Sequence, residues 1–188
     1  KVRGDNFGGH FINGISMADS ESVWKCKLVS ADDEKNVYES ADGYKITAYH
    51  IKKGDVYECY TVFENNGDKT VTLDMISSFA ITDIDADTLH RATSFWSAEG
   101  KMLRQKLTEL NMERSWSGHG IRIEKFGQVG SMPVRKWFPF VAVENSDKNE
   151  FIGVQLYCPS SWQIELFRYK EPLTLLGGLA DYDYGHWC

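Results

Sequence analysis

The chain has 188 residues, 42% of them apolar and 26% charged, and a net charge of −6. These values are typical of one globular domain with its own core. The acidic balance, with no cluster of Lys and Arg, excludes a nucleic-acid partner. No run approaches the roughly 18 consecutive apolar residues of a membrane helix, so no membrane partner is predicted. No signal peptide is evident, although the first residue is Lys1 and removal of an upstream segment stays open.

Short apolar segments alternate with turn signals from the start of the chain, which predicts an all-β fold. In residues 23–30, the side chains of Trp24, Cys26 and Leu28 fall on one face. Further strands are predicted over residues 44–51 and 56–64, after glycine turns at positions 42–43 and 53–54. The run Asn-Asn-Gly-Asp at 65–68 predicts a hairpin, because Asn-Gly tolerates the positive φ angles of a type I′ turn.

The second half continues the pattern with antiparallel strands predicted over residues 71–82, 138–144, 151–157 and 162–168. One segment is ambiguous. Residues 102–110 are strong helix formers with apolar side chains at helical spacing, so propensity favours a two-turn helix. A strand over residues 107–113 is the competing prediction. No repeat or linker divides the chain, which is expected to form a single domain over residues 1–188.

The segment 111–140 is unusually rich in glycine, arginine, tryptophan and amide side chains, and it predicts a polar loop suited to a hydroxyl-rich ligand. Trp116 and Trp137 bracket this loop, and an indole ring packs well on the C–H face of a sugar. Together with Gln128 and Arg135, they are the predicted carbohydrate-contacting residues. Trp24 and Trp162 lie in alternating strands and are expected in the core.

No metal site and no cofactor site are predicted. Residues 83–87 open like a calcium loop, but Thr88 and Ser94 occupy the positions where an EF-hand needs glycine and glutamate, so a solvated strand end is favoured. The five histidines show no zinc spacing, and nucleotide-binding glycine motifs are absent from the sequence. Asp181 and Asp183 are interpreted as surface acids rather than a catalytic pair.

The four cysteines, at positions 26, 59, 158 and 188, lack CxxC spacing, and the chain is long enough to do without disulfides. Four free thiols are therefore predicted. This favours a reducing compartment and, weakly, the cytoplasm.

Several ordered motifs from Trp96 onward resemble the N-terminal β-sandwich domain of glycoside hydrolase family 36, the α-galactosidase and raffinose-type family. They are FWSAE at 95–99, RQKL at 104–107, the polar turn ending in Pro-Phe at 126–140, GVQL at 153–156, WQIE at 162–165 and GGL at 177–179. The polar turn departs from the commonest family version, since it reads Phe-Gly-Gln-Val-Gly-Ser-Met-Pro at 126–133. The resemblance covers roughly the last half of the chain.

The resemblance implies an antiparallel β-supersandwich of the galactose mutarotase-like kind, with little helix and with a strand over residues 107–113. It implies the non-catalytic N-terminal domain of a longer retaining α-galactosidase, with both catalytic aspartates on a downstream barrel. The expected partners are that C-terminal barrel, an α-galactoside and further copies of the full-length protein. No residue of this chain is predicted to be catalytic.

Two alternatives come from other functional classes. A stand-alone carbohydrate-binding sandwich would bind galactosides and depend on Trp116 and Trp137. A mutarotase-like sugar epimerase would need one of the five histidines to meet a glutamate across a cleft, as acid and base. No sequence motif indicates such a pair.

Overall fold

A computed structural model describes residues 26–73, 75–113, 122–129, 134–157, 160–168 and 173–180. These residues form twelve strands in three four-stranded antiparallel sheets, which confirms the predicted all-β antiparallel fold. No helix in the described residues is long and apolar enough to span a membrane. The strands are β1 (Cys26–Ala31), β2 (Lys35–Ser40), β3 (Tyr44–Lys53), β4 (Val56–Asn65), β5 (Met75–Ile84), β6 (Thr88–Thr93), β7 (Met102–Lys106), β8 (Arg122–Gln128), β9 (Trp137–Asn145), β10 (Glu150–Gln155), β11 (Trp162–Arg168) and β12 (Leu173–Ala180).

The first sheet is a meander in the order β1-β2-β3-β4. Its β2–β3 and β3–β4 connections use glycines in the left-handed region, Gly43 with φ 88° and Gly54 with φ 64°. Only glycine adopts this backbone without strain, so both predicted glycine turns are confirmed. The strand bounds of β3 and β4 lie within two residues of those predicted from alternation.

The hairpin predicted at residues 65–68 is wrong. The strand that follows this segment, β5, pairs with β12 rather than with β4. Asn66 and Gly67, both described, do not have the positive φ angles of a type I′ turn. Instead, the Asn65 side chain accepts from Gly67 N–H at 3.1 Å and donates to the Lys69 carbonyl at 2.8 Å. These bonds turn the chain away from the first sheet and toward the third.

The second sheet has the order β10-β9-β6-β7, and the third has the order β5-β12-β11-β8. The two sheets pack face to face around the main core, because alternate residues of each strand point between them. Trp162 lies at its centre with 1% of its surface exposed, as predicted, and Phe126 meets it edge-on at 6.1 Å. The fully buried members include Leu89, Val141, Ile164, Leu166, Leu173 and Leu175.

The close approach of β8 to β11 depends on Gly127. A Cβ atom at this position would lie 2.2 Å from the carbonyl oxygen of Trp162 and 3.0 Å from the Cα of Gln163. No real Cβ tolerates the first distance, so only glycine fits here. Glycine thereby sets the spacing of two strands that line the core.

The helix predicted over residues 102–110 is wrong, and so is the strand expected over residues 107–113. Met102–Lys106 form β7, paired with β6, and residues 107–111 form a turn. The helical spacing of apolar residues has another cause, since Leu107 and Met112 anchor this turn in the core at 3% and 1% exposure. Tertiary pairing outweighs propensity in this segment.

The remaining strand predictions are confirmed with shifted ends. β9, β10 and β11 cover the predicted segments closely, and β5 starts four residues later than predicted. Cys26 and Cys59 are free thiols, and burial raises the pKa of Cys59, which keeps it protonated at neutral pH. Cys158, Cys188 and Trp24 lie outside the described residues.

Candidate functional site

The predicted carbohydrate-contacting residues lie in different surroundings. Trp116 lies outside the described residues. Gln128 ends β8, and its side-chain amide donates to the Val129 carbonyl at 2.8 Å. Arg135 is exposed in the turn before β9, whereas Trp137 is half-buried as the first residue of β9. Among the described residues, no hydrogen bond, ion pair or ring contact joins Gln128, Arg135 and Trp137, and their role stays a prediction.

Trp137 packs against a buried charged side chain, Arg91, at the edge of the core. Its ring lies 5.9 Å from Phe126 and carries the Arg91 guanidinium 4.5 Å above its centroid. Arg91 comes from β6, is 8% exposed, and donates to Glu124 of β8 at 2.6 Å and to Gln105 of β7 at 2.9 Å. A buried guanidinium needs such partners, since an unpaired charge in a core is very costly. Trp137 therefore stabilises the sandwich through cation–π contact.

The outer face of the second sheet carries a second polar network, centred on Glu144 of β9. His90 Nε2 of β6 donates to Glu144 Oε2 at 2.6 Å. Arg104 of β7 donates to both carboxylate oxygens, from Nε at 3.1 Å and from a terminal nitrogen at 3.0 Å. Three strands thus supply one residue each to a single charged cluster, in which Glu144 is only 11% exposed and Arg104 is 53% exposed.

Ser146 extends this network toward Asp87, the residue before β6. The Ser146 hydroxyl lies 3.3 Å from Glu144 Oε1 and 2.8 Å from Asp87 Oδ1. Lys106 donates to both Asp87, at 2.8 Å, and Ser146, at 3.1 Å. Lys106 and the Thr88 hydroxyl, both donating to Asp87, hold the pKa of that carboxyl well below its usual range.

The donors around Glu144 fix its charge. The hydrogen bonds from Arg104, and then from His90, lower the pKa of Glu144 to about 2. A general acid must carry a proton near the working pH, and a carboxyl with this pKa does not at neutral pH. The carboxylate is therefore suited to orienting His90 and Arg104 rather than to donating protons.

Beside this cluster, the sizes of the residues along the strand register indicate a shallow depression in the sheet surface. Strand register places Arg104, His90, Ala142 and Gly153 in one cross-strand row, so the two small residues form a floor next to the imidazole. The neighbouring rows on β9 and β10 hold Glu144 with Phe151 on one side and Phe140 with Gln155 on the other. The Phe151 ring is 56% exposed and lies 5.8 Å from the His90 ring. We call this surface the outer depression.

The outer depression combines donors, acceptors and an aromatic wall. Arg104 is half exposed, so part of its guanidinium faces solvent and is available for hydrogen bonds. Phe151 and Phe140 supply apolar faces on either side of the Gly153 floor. Such a surface can hold a small polyhydroxylated ring by stacking and by charge-assisted hydrogen bonds.

A separate pocket of about 260 Å³ lies at the end of β5 and contains part of the calcium-like run, Asp83 and Asp85, with Asn145 and Glu150. One of its acids, Asp85, already has protein partners. Lys148 donates to Asp85 at 3.1 Å, and Asn145 donates to the same carboxylate at 3.0 Å. Among the described residues, no group of His, Cys, Asp and Glu has an arrangement that would hold a metal ion.

The sequence did not reveal the pairing of His90 with Glu144. The two residues are 54 positions apart, and they meet only because β6 pairs with β9 across the intervening β7 and β8 segments. The sequence offers only weak signals for this site, namely His90 and Arg104 in short segments and a glycine, Gly153, in a later strand. Strand order, which carries the information, is not encoded in local spacing.

The fold and the outer depression define an all-β sandwich protein with an open, polar and aromatic surface on one sheet. Comparison of the chain with protein-family models, with curated proteins and with solved structures finds no match.

Proposed function

We propose that the chain is a carbohydrate-binding β-sandwich domain, not catalytic by itself, from a larger glycosidase of the family 36 type acting on α-galactosides. One observation carries the proposal: the fixed His90–Glu144–Arg104 cluster lies beside the exposed Phe151 ring over a small-residue floor. The sequence resemblance supplies the sugar class, and the expected partner is the catalytic barrel of the same protein.

The chemistry of the outer depression supports binding rather than bond cleavage. Its central carboxylate is held ionised by Arg104 and His90, so it is a poor general acid at neutral pH. Sugar hydroxyls need both donors and acceptors at fixed positions, and the cluster is held in place from three strands. Phe151 faces solvent in the free protein, as a stacking wall for a ligand would.

Calorimetric titration with methyl α-galactoside and raffinose tests the proposal. We expect measurable binding by the unmodified chain and a loss on the order of tenfold for Phe151→Ala, since stacking contributes about 1 kcal/mol. Gly153→Val should also abolish binding, because its side chain would occupy the floor without touching the charged cluster. Tyr57→Ala is the matched control, an equally exposed aromatic residue on the first sheet.

Absence of binding to either sugar would overturn the proposal, and so would equal losses in Phe151→Ala and Tyr57→Ala. The non-catalytic part has its own test. Robust turnover of an aryl α-galactoside by this chain alone would contradict it.

A mutarotase-like epimerase is the second candidate, because the histidine–glutamate contact that it requires is present at 2.6 Å between His90 and Glu144. In this case His90 would act as the base, and Glu144 would orient it, as its ionised state permits. Polarimetry of freshly dissolved α-galactose distinguishes the two candidates. Faster mutarotation that is lost in His90→Gln would favour the epimerase. An unchanged rate of mutarotation would favour the binding domain.

A further inference from the structure

The first sheet is set apart from both cores. No residue of β1–β4 belongs to either buried apolar cluster of the described residues, and Thr47 is its only buried polar residue. A four-stranded sheet with apolar side chains normally packs one face against another layer. Here Tyr60 and Val62 of β4 are each 40% exposed, so the side of the sheet that carries them is open along its β4 edge.

We call this surface the tyrosine face. Its centre holds two cross-strand rows of β2, β3 and β4. One contains Lys35, Tyr49 and Tyr60, and the two tyrosine rings stack at 4.5 Å with an interplanar angle of 13°. The other contains Val37, Thr47 and Val62. Paired residues on adjacent strands point to the same face, so these side chains form one continuous patch.

A row of charges borders this patch. Strand register places Lys27 opposite Glu39, Glu39 opposite Lys45, and Lys45 opposite Glu64. All four strands therefore contribute to a single row that alternates Lys, Glu, Lys, Glu across the sheet. Lys45 and Glu64 also form an ion pair at 3.0 Å and remain 36% and 43% exposed. Their exposure leaves them able to contact a partner.

This alternation is self-complementary. A two-fold axis that runs parallel to the strands, above the tyrosine face and midway between β2 and β3, reverses the order of the row in a second copy. Lys27 then lies over Glu64, and Glu39 lies over Lys45, at every position of the row. The same rotation places Thr47 over the partner's Val37 and Val62 over the small side chain of the partner's Ser30. We infer that the tyrosine face binds a second copy of this chain, sheet against sheet, as a two-fold dimer.

The charge pattern selects this occupant. A nucleic acid or another acidic surface would need a face of one positive sign, whereas this row has equal numbers of both. The four strands have six to ten residues each, so the sheet offers roughly 500 Å² at spacings of about 3.3 and 4.8 Å, the small end for a specific interface. A reversible dimer is expected, with association that weakens as salt rises.

Sedimentation equilibrium of the unmodified chain is the first test, at up to roughly 100 µM, where a dimer with a Kd of about 10 µM would predominate. We expect a concentration-dependent doubling of mass that falls in high salt. A monomer throughout the range would overturn the inference. This measurement is independent of sugar binding, since the tyrosine face and the outer depression lie on different sheets.

Charge exchange tests the geometry. Glu39→Lys with Glu64→Lys makes the row all lysine, and Lys27→Glu with Lys45→Glu makes it all glutamate. Each double variant should be monomeric alone, and an equimolar mixture should form a heterodimer. Restored association only in the mixture supports the two-fold arrangement, and dimers in either variant alone would refute it.

Circular dichroism confirms the fold of each variant, because like charges in one cross-strand row destabilise a sheet. If either double variant fails to fold, the single variant Val62→Glu replaces it, since Val62 is an exposed residue of the tyrosine face on the edge strand β4. It should weaken association on the order of tenfold or more, and unchanged association would contradict the inference. Val29→Glu is the control, because Val29 is also exposed but lies on β1 at a bulge outside the paired rows.

Discussion

The buried Arg91–Glu124 pair gives an asymmetric prediction for stability. Arg91 is 8% exposed and lies between Phe126 and Trp137, whereas Glu124 is 25% exposed. Glu124→Gln would leave a buried guanidinium with only neutral hydrogen-bond partners. Removing one partner of a fully buried pair costs about 3–5 kcal/mol, and the partial exposure of Glu124 reduces this to about 2 kcal/mol.

Arg91→Met removes the buried charge and keeps an apolar side chain between the two aromatic rings. The remaining Glu124 can reach water through its exposed part. We expect a smaller loss of about 1 kcal/mol, chiefly from the cation–π contacts. The double variant should cost little more than Arg91→Met alone, because Glu124 no longer has a charge to balance.

Urea unfolding of the four proteins measures these free energies, with similar m-values required for comparison. The reasoning predicts a larger loss for Glu124→Gln than for Arg91→Met. The reverse order, or strict additivity in the double variant, would refute the claim that a desolvated guanidinium dominates the energetics of this site.

Three further predictions concern packing and pH. Gly127→Ala should lower the free energy of unfolding, measured by thermal melts, by about 3 kcal/mol or more, since a Cβ cannot fit 2.2 Å from the Trp162 carbonyl. Gly153→Ala is the control, because its Cβ would meet only Ala142 at 4.0 Å, and its free energy of unfolding should stay within about 0.5 kcal/mol of the unmodified chain. Trp162→Ala should lower the free energy of unfolding by about 4 kcal/mol, because the indole is fully buried. A loss below about 2 kcal/mol would contradict the position of Trp162 at the centre of the core. Glu144, whose pKa is lowered to about 2, stabilises the fold above its unfolded pKa near 4.5, and this contribution is lost as pH falls from there toward 2. Urea midpoints between these pH values should therefore fall less steeply in Glu144→Gln than in Glu150→Gln, an exposed acid on the same sheet.

Local sequence signals predicted the first sheet well. Alternation and left-handed glycines define β3 and β4 because both are properties of neighbouring residues. The Asn-Gly signal at 66–67 failed, since the Asn65 side chain made a different set of backbone bonds. The same composition supports several turns, and tertiary context selected among them.

The candidate site depended on information that local patterns lack. His90, Arg104 and Glu144 meet because β6 pairs with both β7 and β9, and that strand order joins distant parts of the sequence. The helix prediction over 102–110 failed for a related reason. It removed the strand that carries Arg104, so the cluster could not be assembled from the predicted elements.

The central strand β6 carries adjacent residues with opposite destinations. Leu89 and Arg91 face the core, where Arg91 meets Glu124, and His90 between them faces the outer cluster. A slip of β6 by one residue would exchange these environments, exposing Leu89 and burying His90 away from Glu144. The alignment of β6 is therefore specified from both faces of the sheet, because the Arg91–Glu124 ion pair and the His90–Glu144 hydrogen bond form together in one register and are lost together in the next.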